Sequence, residues 1–366
     1  MNNPAIVTHN LTKTFDIVQK DPGLGGAVKA LFRPQYTHKT AVDGISFQID
    51  PGEIVGYIGV NGAGKSTTIK MLTGILTPTS GTVSVLGRDP HRQRVANARD
   101  IGVVFGQRTQ LWWDLALIES LNLVAGIYDI PPQRYRQLLE QFGEILELKD
   151  LFKIPIRNMS LGQKMRAELA AALIHEPKVL YLDEPTIGLD LLVKEKIRSF
   201  VREHNQTHNT TVILTTHDLG DIEELCQRVI IIDGGKLIYD GPIHTIRERF
   251  GRERVLAFEV SPEQLPRLEK IAASLILPAS AQADVEQAGS SGKRLAVRFD
   301  RLTTSASKVA ASLMDQVEVV DFSISEPDLA GIVRQIYLGA LNEPAAAQSK
   351  PDPAEGQPGA SQPDEV

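Results

Sequence analysis

The sequence predicts an α/β fold built on a parallel sheet, and three observations support this class. The apolar run Ile54 to Ile58 leads into a glycine-rich loop and then into a stretch with its apolar residues on one helical face. Two further apolar strands, "KVLYLDEP" and "TTVILTTHD", are joined by the helical stretch "LLVKEKIRSFVREHN". Continuous apolar strands that alternate with helices are typical of a parallel sheet covered on both faces.

The front of the chain adds antiparallel strands to this core. "AIVTHNLTKTF", "GISFQID" and "GTVSVLG" have strand patterns, and Pro51-Gly52 predicts a hairpin that joins "GISFQID" to "EIVGYIG". A mostly helical subdomain is expected over about residues 105–175, where "QRYRQLLEQFGEILEL" and "LGQKMRAELAAALIH" are amphipathic. Together these segments predict one nucleotide-binding domain over residues 5–245.

The composition changes after about residue 250. "RVLAFEV", "RLAVRFD" and "QVEVVDFSI" predict strands of a small α+β domain over 250–341, with "SEPDLAGIVRQIYLGAL" as its closing helix. Residues 342–366 are rich in Pro, Ala, Gly and acidic side chains, which cannot bury enough apolar surface to offset their ordering entropy. We therefore expect a disordered tail.

Charge and hydropathy exclude several classes of function. The chain of 366 residues carries a net charge of -6, which argues against a nucleic-acid partner because phosphate contacts need a basic surface. We see neither a signal peptide nor an apolar run of about 18 residues, so we expect membrane contact only through a partner. The single cysteine, Cys226, lies among apolar residues and is expected to be buried.

A phosphate-binding loop follows the first parallel strand. "GVNGAGKSTT" matches the pattern G-x-x-x-x-G-K-[ST], in which backbone N–H groups and a helix N-terminus face the phosphates of a nucleotide. Lys65 is placed to reach the β- and γ-phosphates, and the Ser66 hydroxyl to bind Mg²⁺. The predicted ATP-binding set of this loop is Gly59, Asn61, Gly62, Ala63, Gly64, Lys65, Ser66 and Thr67.

Polar residues end the two apolar strands that follow. Asp183 stands at the carboxyl end of "VLYLD", where ligands of parallel sheets bind, and is predicted to hold Mg²⁺. Glu184 comes next and is a candidate general base for an attacking water. His217 ends the strand "VILTTH" at the same edge, where a neutral imidazole can donate to the γ-phosphate.

A second helix N-terminus suited to an anion is predicted at Ser160. Ser160 and Gln163 have the S-x-x-Q spacing of a capping box. Because the glycine-rich loop already serves the phosphates of its own site, this second helix end is best explained as serving the nucleotide of another subunit.

The order of these motifs resembles that of the ATP-binding cassette (ABC) ATPases over roughly residues 5–245. The resemblance implies that Met159 to Gln163 is the family signature, with Leu161 in place of a glycine and with Gly162 retained. It also implies that Gln107 senses Mg²⁺ and water, and that Asp190 reaches across a dimer. The implied catalytic set is Glu184, His217, Lys65 and Gln107; the Mg²⁺ set is Ser66, Gln107 and Asp183; and the set acting in trans is Ser160, Leu161, Gly162, Gln163 and Asp190.

Two aromatic residues are candidates for the ring that stacks on adenine in this family. Phe15 matches the family position by its local motif, "LTKTF", whereas Tyr36 matches by its distance from Lys65. An insertion of about twenty residues separates them. Trp112 and Trp113 are expected on a helical stretch, which in this family lies beside the groove that receives the coupling helix of the transporter. The alternative is that both rings lie in the core of the helical subdomain.

The chain is most similar to ATPase subunits of ABC-2-type exporters. The resemblance implies a homodimer, or a heterodimer with a related ATPase, that drives a separately encoded permease at the cytoplasmic face of the membrane. An importer ATPase is the nearest alternative. A soluble ABC ATPase of DNA repair or translation would carry two cassettes or long coiled coils, and a nucleotide kinase would need neither the signature helix nor Asp190.

Overall fold

The structure is a computed structural model. It describes residues 3–19, 35–106, 109–250, 253–261, 263–278, 281–288, 292–325, 329, 331–333 and 336. Among the helices in these ranges, none is both long and apolar enough to cross a membrane. The predicted tail over 342–366 lies outside the described residues.

A six-stranded sheet forms the centre of the nucleotide-binding domain, in the order β5-β6-β7-β3-β8-β9. The first five strands of this order pair in parallel and β9 pairs antiparallel with β8. The strands are β3 (Ile54–Gly59), β5 (Ile101–Phe105), β6 (Val179–Asp183), β7 (Thr211–Thr215), β8 (Arg228–Asp233) and β9 (Lys236–Pro242). This topology confirms the predicted α/β class.

A separate three-stranded antiparallel sheet contains β1 (Ile6–Gln19), β2 (Gln35–Ile49) and β4 (Ser80–Val85), in the order β2-β1-β4. The predicted hairpin across Pro51-Gly52 is wrong, because β2 pairs with β1 while β3 pairs with β7 and β8. The burial patterns explain the separation. From Ile45 to Ile49 the side chains of β2 are buried alternately, as in a sheet with one solvated face, whereas β3 is buried on both faces.

Helices surround the parallel sheet. In chain order they are α1 (Lys65–Leu72), α2 (Arg94–Asp100), α3 (Leu117–Ile127), α4 (Pro132–Ile145), α5 (Leu161–Leu173), α6 (Leu191–His208), α7 (Leu219–Leu225) and α8 (Ile243–Phe250). The two helices expected in the helical subdomain are present as α4 and α5. Only α4 buries a single face, as predicted, because α5 is buried on all sides from Ala167 to Leu173. Cys226 is buried as expected, and burial raises the pKa of its thiol.

The C-terminal part contains a four-stranded sheet with its own apolar core. Its order is β11-β12-β10-β13, and all its pairs are antiparallel. The elements are β10 (Glu253–Val260), α9 (Leu268–Ser274), β11 (Ala281–Ala288), β12 (Gly292–Asp300), α10 (Ala306–Met314) and β13 (Val319–Ser325).

The stretch predicted to close this small domain packs elsewhere. Its buried side chains Leu329, Ile332, Val333 and Ile336 belong to the apolar cluster of the nucleotide-binding domain, together with Ile222 and Ile246. The Leu329 backbone N–H also donates to Glu223 Oε1 at 3.2 Å. Counted from Leu329, the other three side chains lie three, four and seven positions along the chain, which makes one apolar helical stripe that here covers the larger core.

Candidate functional site

Backbone geometry explains the glycines of the phosphate-binding loop. The loop leaves β3 at Gly59 and enters α1 at Lys65. Gly62 and Gly64 have φ angles of 84° and 109°, in the left-handed region that other residues avoid. A Cβ at Gly64 would lie 2.4 Å from the Ala41 carbonyl oxygen. The loop can therefore close around an anion with its N–H groups unobstructed by side chains.

The Lys65 ammonium is held inside this loop. Its side chain is buried, with the residue only 7% exposed, and its Nζ donates to the carbonyl oxygens of Gly59 at 2.6 Å and Val60 at 3.3 Å. Burial lowers the pKa of Lys65, and the nearby carboxylates of Glu184 and Asp183 partly oppose that shift. The Lys65 ammonium is thus fixed within the loop, near the carboxylates of Glu184 and Asp183.

Asp183 lies beside Ser66, as the sequence predicts for a shared metal ion. Its Oδ2 accepts from Ser66 Oγ at 3.4 Å, and its Oδ1 accepts from Thr215 Oγ1 at 2.5 Å. Within the described ranges, no group of three or more His, Cys, Asp or Glu could hold a metal. A hydroxyl and one carboxylate nevertheless fit Mg²⁺, which takes few protein ligands and completes its shell with phosphate oxygens and water. Gln107 lies outside the described residues.

Glu184 and His217 meet at the same edge of the sheet. His217 Nε2 lies 2.7 Å from Glu184 Oε1. Glu184 has a φ of 57°, an uncommon conformation for a residue with a side chain, and its N–H donates to Thr215 O at 2.9 Å. The end of β6 is thus turned sharply, and this turn brings the carboxylate to the imidazole.

The capping box at the start of α5 is present as predicted. Ser160 Oγ accepts from the Gln163 N–H at 3.3 Å, and Gln163 Oε1 accepts from the Ser160 N–H at 2.9 Å. Leu161, half exposed, lies beside Gly188, where an added Cβ would be 3.1 Å from Leu161 Cδ2. An added Cβ at Gly162 would similarly lie 3.2 Å from Val193 Cγ1. The capped turn therefore packs on the segment that leads into α6.

Asp190 begins that same helix. Its carboxylate accepts from the Val193 N–H at 3.0 Å and caps α6. The residues predicted to act across a dimer thus form one continuous surface, made from the start of α5 and the start of α6.

One buried acid was missed in the sequence. Glu168 on α5 accepts hydrogen bonds from Thr109 Oγ1 and, at 3.2 Å, from the Gln110 N–H. Burial raises the pKa of its carboxyl, and these hydrogen bonds partly oppose the shift. Glu168 therefore connects the helix that starts at Ser160 to the segment just after Gln107. The available signal was a charged residue directly before the apolar run "LAAALI".

The aromatic candidates are separated by the strand register. Phe15 pairs with Lys39, three positions from Tyr36 along β2, and an odd separation places Phe15 and Tyr36 on opposite faces of the two-stranded ribbon. Because the rings are on opposite faces, only one of them can stack on the adenine of a nucleotide bound at one face.

The two tryptophans are placed differently from the prediction. Trp112 and Trp113 precede α3 in a loop rather than in a helix, and both are exposed, by 41% and 52%. Lys164 Nζ lies 4.3 Å from the centroid of the Trp113 ring, a cation–π contact that holds the ring beside the start of α5. A turn at Trp113 and Asp114 separates the two rings from α3, which begins only at Leu117.

Comparisons with known proteins identify the family. The family model described as ABC transporter matches residues 42–187. The Nod factor export ATP-binding protein I of Paraburkholderia xenovorans (strain LB400) is 36% identical over 239 residues, covering 64% of this chain and 76% of the relative. The ABC transporter ATP-binding protein NatA of Bacillus subtilis (strain 168) is 31% identical over 208 residues, which cover 57% of this chain and 84% of the relative.

Solved structures agree with these relatives. The ATP-binding subunit of an ABC transporter superposes with a TM-score of 0.57 at 26% identity, covering 68% of this chain and 93% of that one. CbiO1 of Clostridium perfringens, part of the cbiONQ complex, gives a TM-score of 0.55 at 26% identity, covering 73% and 98%. The chain belongs to the family of ATP-binding subunits of ABC transporters. It binds ATP and is an ATPase coupled to transport, as the resemblance implied.

Proposed function

We propose that the chain drives an exporter as a head-to-tail dimer of two copies. Each ATP would lie between Gly59–Thr67 of one copy and Ser160–Gln163 of the other. One chain carries both halves of such a site, a glycine-formed phosphate loop and an anion-facing capped helix start. A two-fold dimer of identical chains therefore completes two equal sites, which favours a homodimer over a heterodimer.

The chemistry rests on the contact between Glu184 and His217 beside Asp183. Ser66, Asp183 and Gln107 would hold Mg²⁺, which neutralises charge that develops on the phosphate oxygens. Glu184 accepts a proton from the attacking water, and His217 orients that water against the γ-phosphate. Lys65 stabilises the same phosphate, so most of the rate comes from positioning and charge stabilisation.

The proposed partner is a separate membrane permease at the cytoplasmic face. Relatives of this chain include ATP-binding proteins whose names state export of Nod factor, which supports export here. Trp112 and Trp113 are large exposed rings, and Trp113 contacts Lys164 on α5. Exposed aromatic anchors of this kind favour an interface. A permease gene beside the gene for this chain, without a gene for a substrate-binding protein, would favour export over import.

Replacing Glu184 by Gln tests this assignment. The shape of the side chain and the binding of ATP are retained, while loss of the general base lowers hydrolysis by about 10²–10⁴-fold. We expect Glu184→Gln to elute as an ATP-dependent dimer in size-exclusion chromatography. Glu195→Gln, an exposed acid on α6, is the matched control and should hydrolyse ATP like the wild type. Wild-type turnover by Glu184→Gln would overturn the role of Glu184.

A further inference from the structure

A buried acid connects the two turns that carry Glu184 and His217. Asp221 on α7 is 0% exposed. Its Oδ2 accepts from Thr186 Oγ1 and, at 3.0 Å, from Thr216 Oγ1. Thr186 lies two residues after Glu184, and Thr216 directly precedes His217. One carboxylate oxygen is therefore bonded to both turns.

The other oxygen of Asp221 is held from α6. Its Oδ1 accepts from Arg198 Nε at 2.7 Å, and Arg198 is also buried. A second nitrogen of the guanidinium reaches Glu224 Oε1 at 2.7 Å. The arginine thereby balances the charge of the buried carboxylate, which would otherwise be costly in a dry site. Arg198 thus holds the Asp221 carboxylate in position independently of the two threonines.

The hydrogen bonds of Thr216 are directional. Its hydroxyl donates to Asp221 and accepts from the Asp218 N–H at 3.0 Å. Because both roles of the oxygen are taken, its rotamer is fixed, and with it the backbone that precedes His217. The Glu184 turn needs similar support, since its φ of 57° is kept only where the surroundings over-determine it.

We propose that Asp221 is a positioning residue for ATP hydrolysis, which acts through Thr186 and Thr216 to set Glu184 against His217. The inference rests on the proposed roles of Glu184 and His217. The backbone bond from Glu184 to Thr215 joins the two strands at their ends. Asp221 links the two turns just beyond those strand ends, where the side chains of Glu184 and His217 lie 2.7 Å apart.

Thr186→Val tests the proposal, because it removes one hydroxyl and leaves the ion pair of Asp221 and Arg198 intact. We expect kcat for ATP to fall at least tenfold while KM for ATP stays within twofold, since the phosphate loop is not touched. Thr186→Ser keeps the hydroxyl and should restore kcat. Glu224→Gln, which removes a different partner of Arg198, is the control and should leave both constants unchanged.

The outcomes separate this inference from the proposed function. If Glu184→Gln abolishes hydrolysis but Thr186→Val retains kcat within twofold, the positioning role of Asp221 is refuted and the proposed function stands. If Glu184→Gln retains hydrolysis, the proposed function itself fails. Equal losses in Thr186→Val and Thr186→Ser would also refute the inference. Should Thr186→Val fail to bind a fluorescent ATP analogue, Thr216→Val makes the same test from the side of His217.

Discussion

Protonation of His204 should destabilise the protein at mildly acidic pH. His204 lies on α6 and is only 7% exposed, between Phe200 and a stacked His208 whose ring centroid is 4.3 Å away. Burial lowers the pKa of His204 to about 4; His208 adds to the shift, and Glu176, from the turn before β6, opposes it. His204 is therefore neutral in the native state.

The sign and size of the effect follow from linkage. A histidine has a pKa of about 6.5 in the unfolded chain, so the unfolded state takes up the proton first as the pH falls. The free energy of unfolding keeps its full value above about pH 6.5 and decreases progressively as the pH falls towards 4. At pH 5 the loss is about 2 kcal/mol, from about 1.4 kcal/mol for each pH unit below 6.5.

The assay is urea unfolding followed by circular dichroism at pH 8 and pH 5, at equal ionic strength. His204→Gln cannot titrate, so the difference in unfolding free energy between the two pH values should shrink by about 2 kcal/mol relative to the wild type. His244→Gln, at an exposed position on α8, should keep the wild-type difference. An unchanged pH dependence in His204→Gln would refute the buried, neutral state of this ring.

Two further substitutions test the geometry of the candidate site. Gly64→Ala should destabilise the apo protein more than Gly62→Ala. Both substitutions strain a positive φ, at about 1–2 kcal/mol each, but only the Cβ added at position 64 meets a backbone oxygen, at 2.4 Å. Equal urea midpoints for the two variants would contradict this. Ser160→Ala should cost about 1 kcal/mol of stability through the lost cap. Ser160→Asp should keep the cap and the stability but lose ATPase activity, as its charge would face the phosphates; normal turnover would contradict an anion-binding role.

Local chemistry made much of the site predictable. The phosphate loop was visible because its glycines are required by backbone angles, and the start of α5 because Ser160 and Gln163 cap it within four consecutive residues. Asp183 and His217 were placed at one sheet edge because apolar strands that end in polar residues share that edge in a parallel sheet.

The features that the sequence predicted wrongly or did not reveal depend on long-range packing. Pro51-Gly52 is a turn in either arrangement, and the choice of sheet for β3 is decided by strands more than 150 residues away. The stripe from Leu329 to Ile336 gave a helical face without showing which core it covers. The contacts of Asp221 with Thr186 and Arg198 join residues 35 and 23 positions apart, and spacing alone does not reveal such pairs.

The shared site is tested most directly by mixing two defective variants. Lys65→Ala lacks the cation of the phosphate loop, and Ser160→Arg lacks the capped helix start, so each alone should be nearly inactive. In an equal mixture of head-to-tail dimers, half are mixed and each mixed dimer has one intact site, which predicts about a quarter of the wild-type ATPase activity. A mixture no more active than its two components would contradict a site built from two chains.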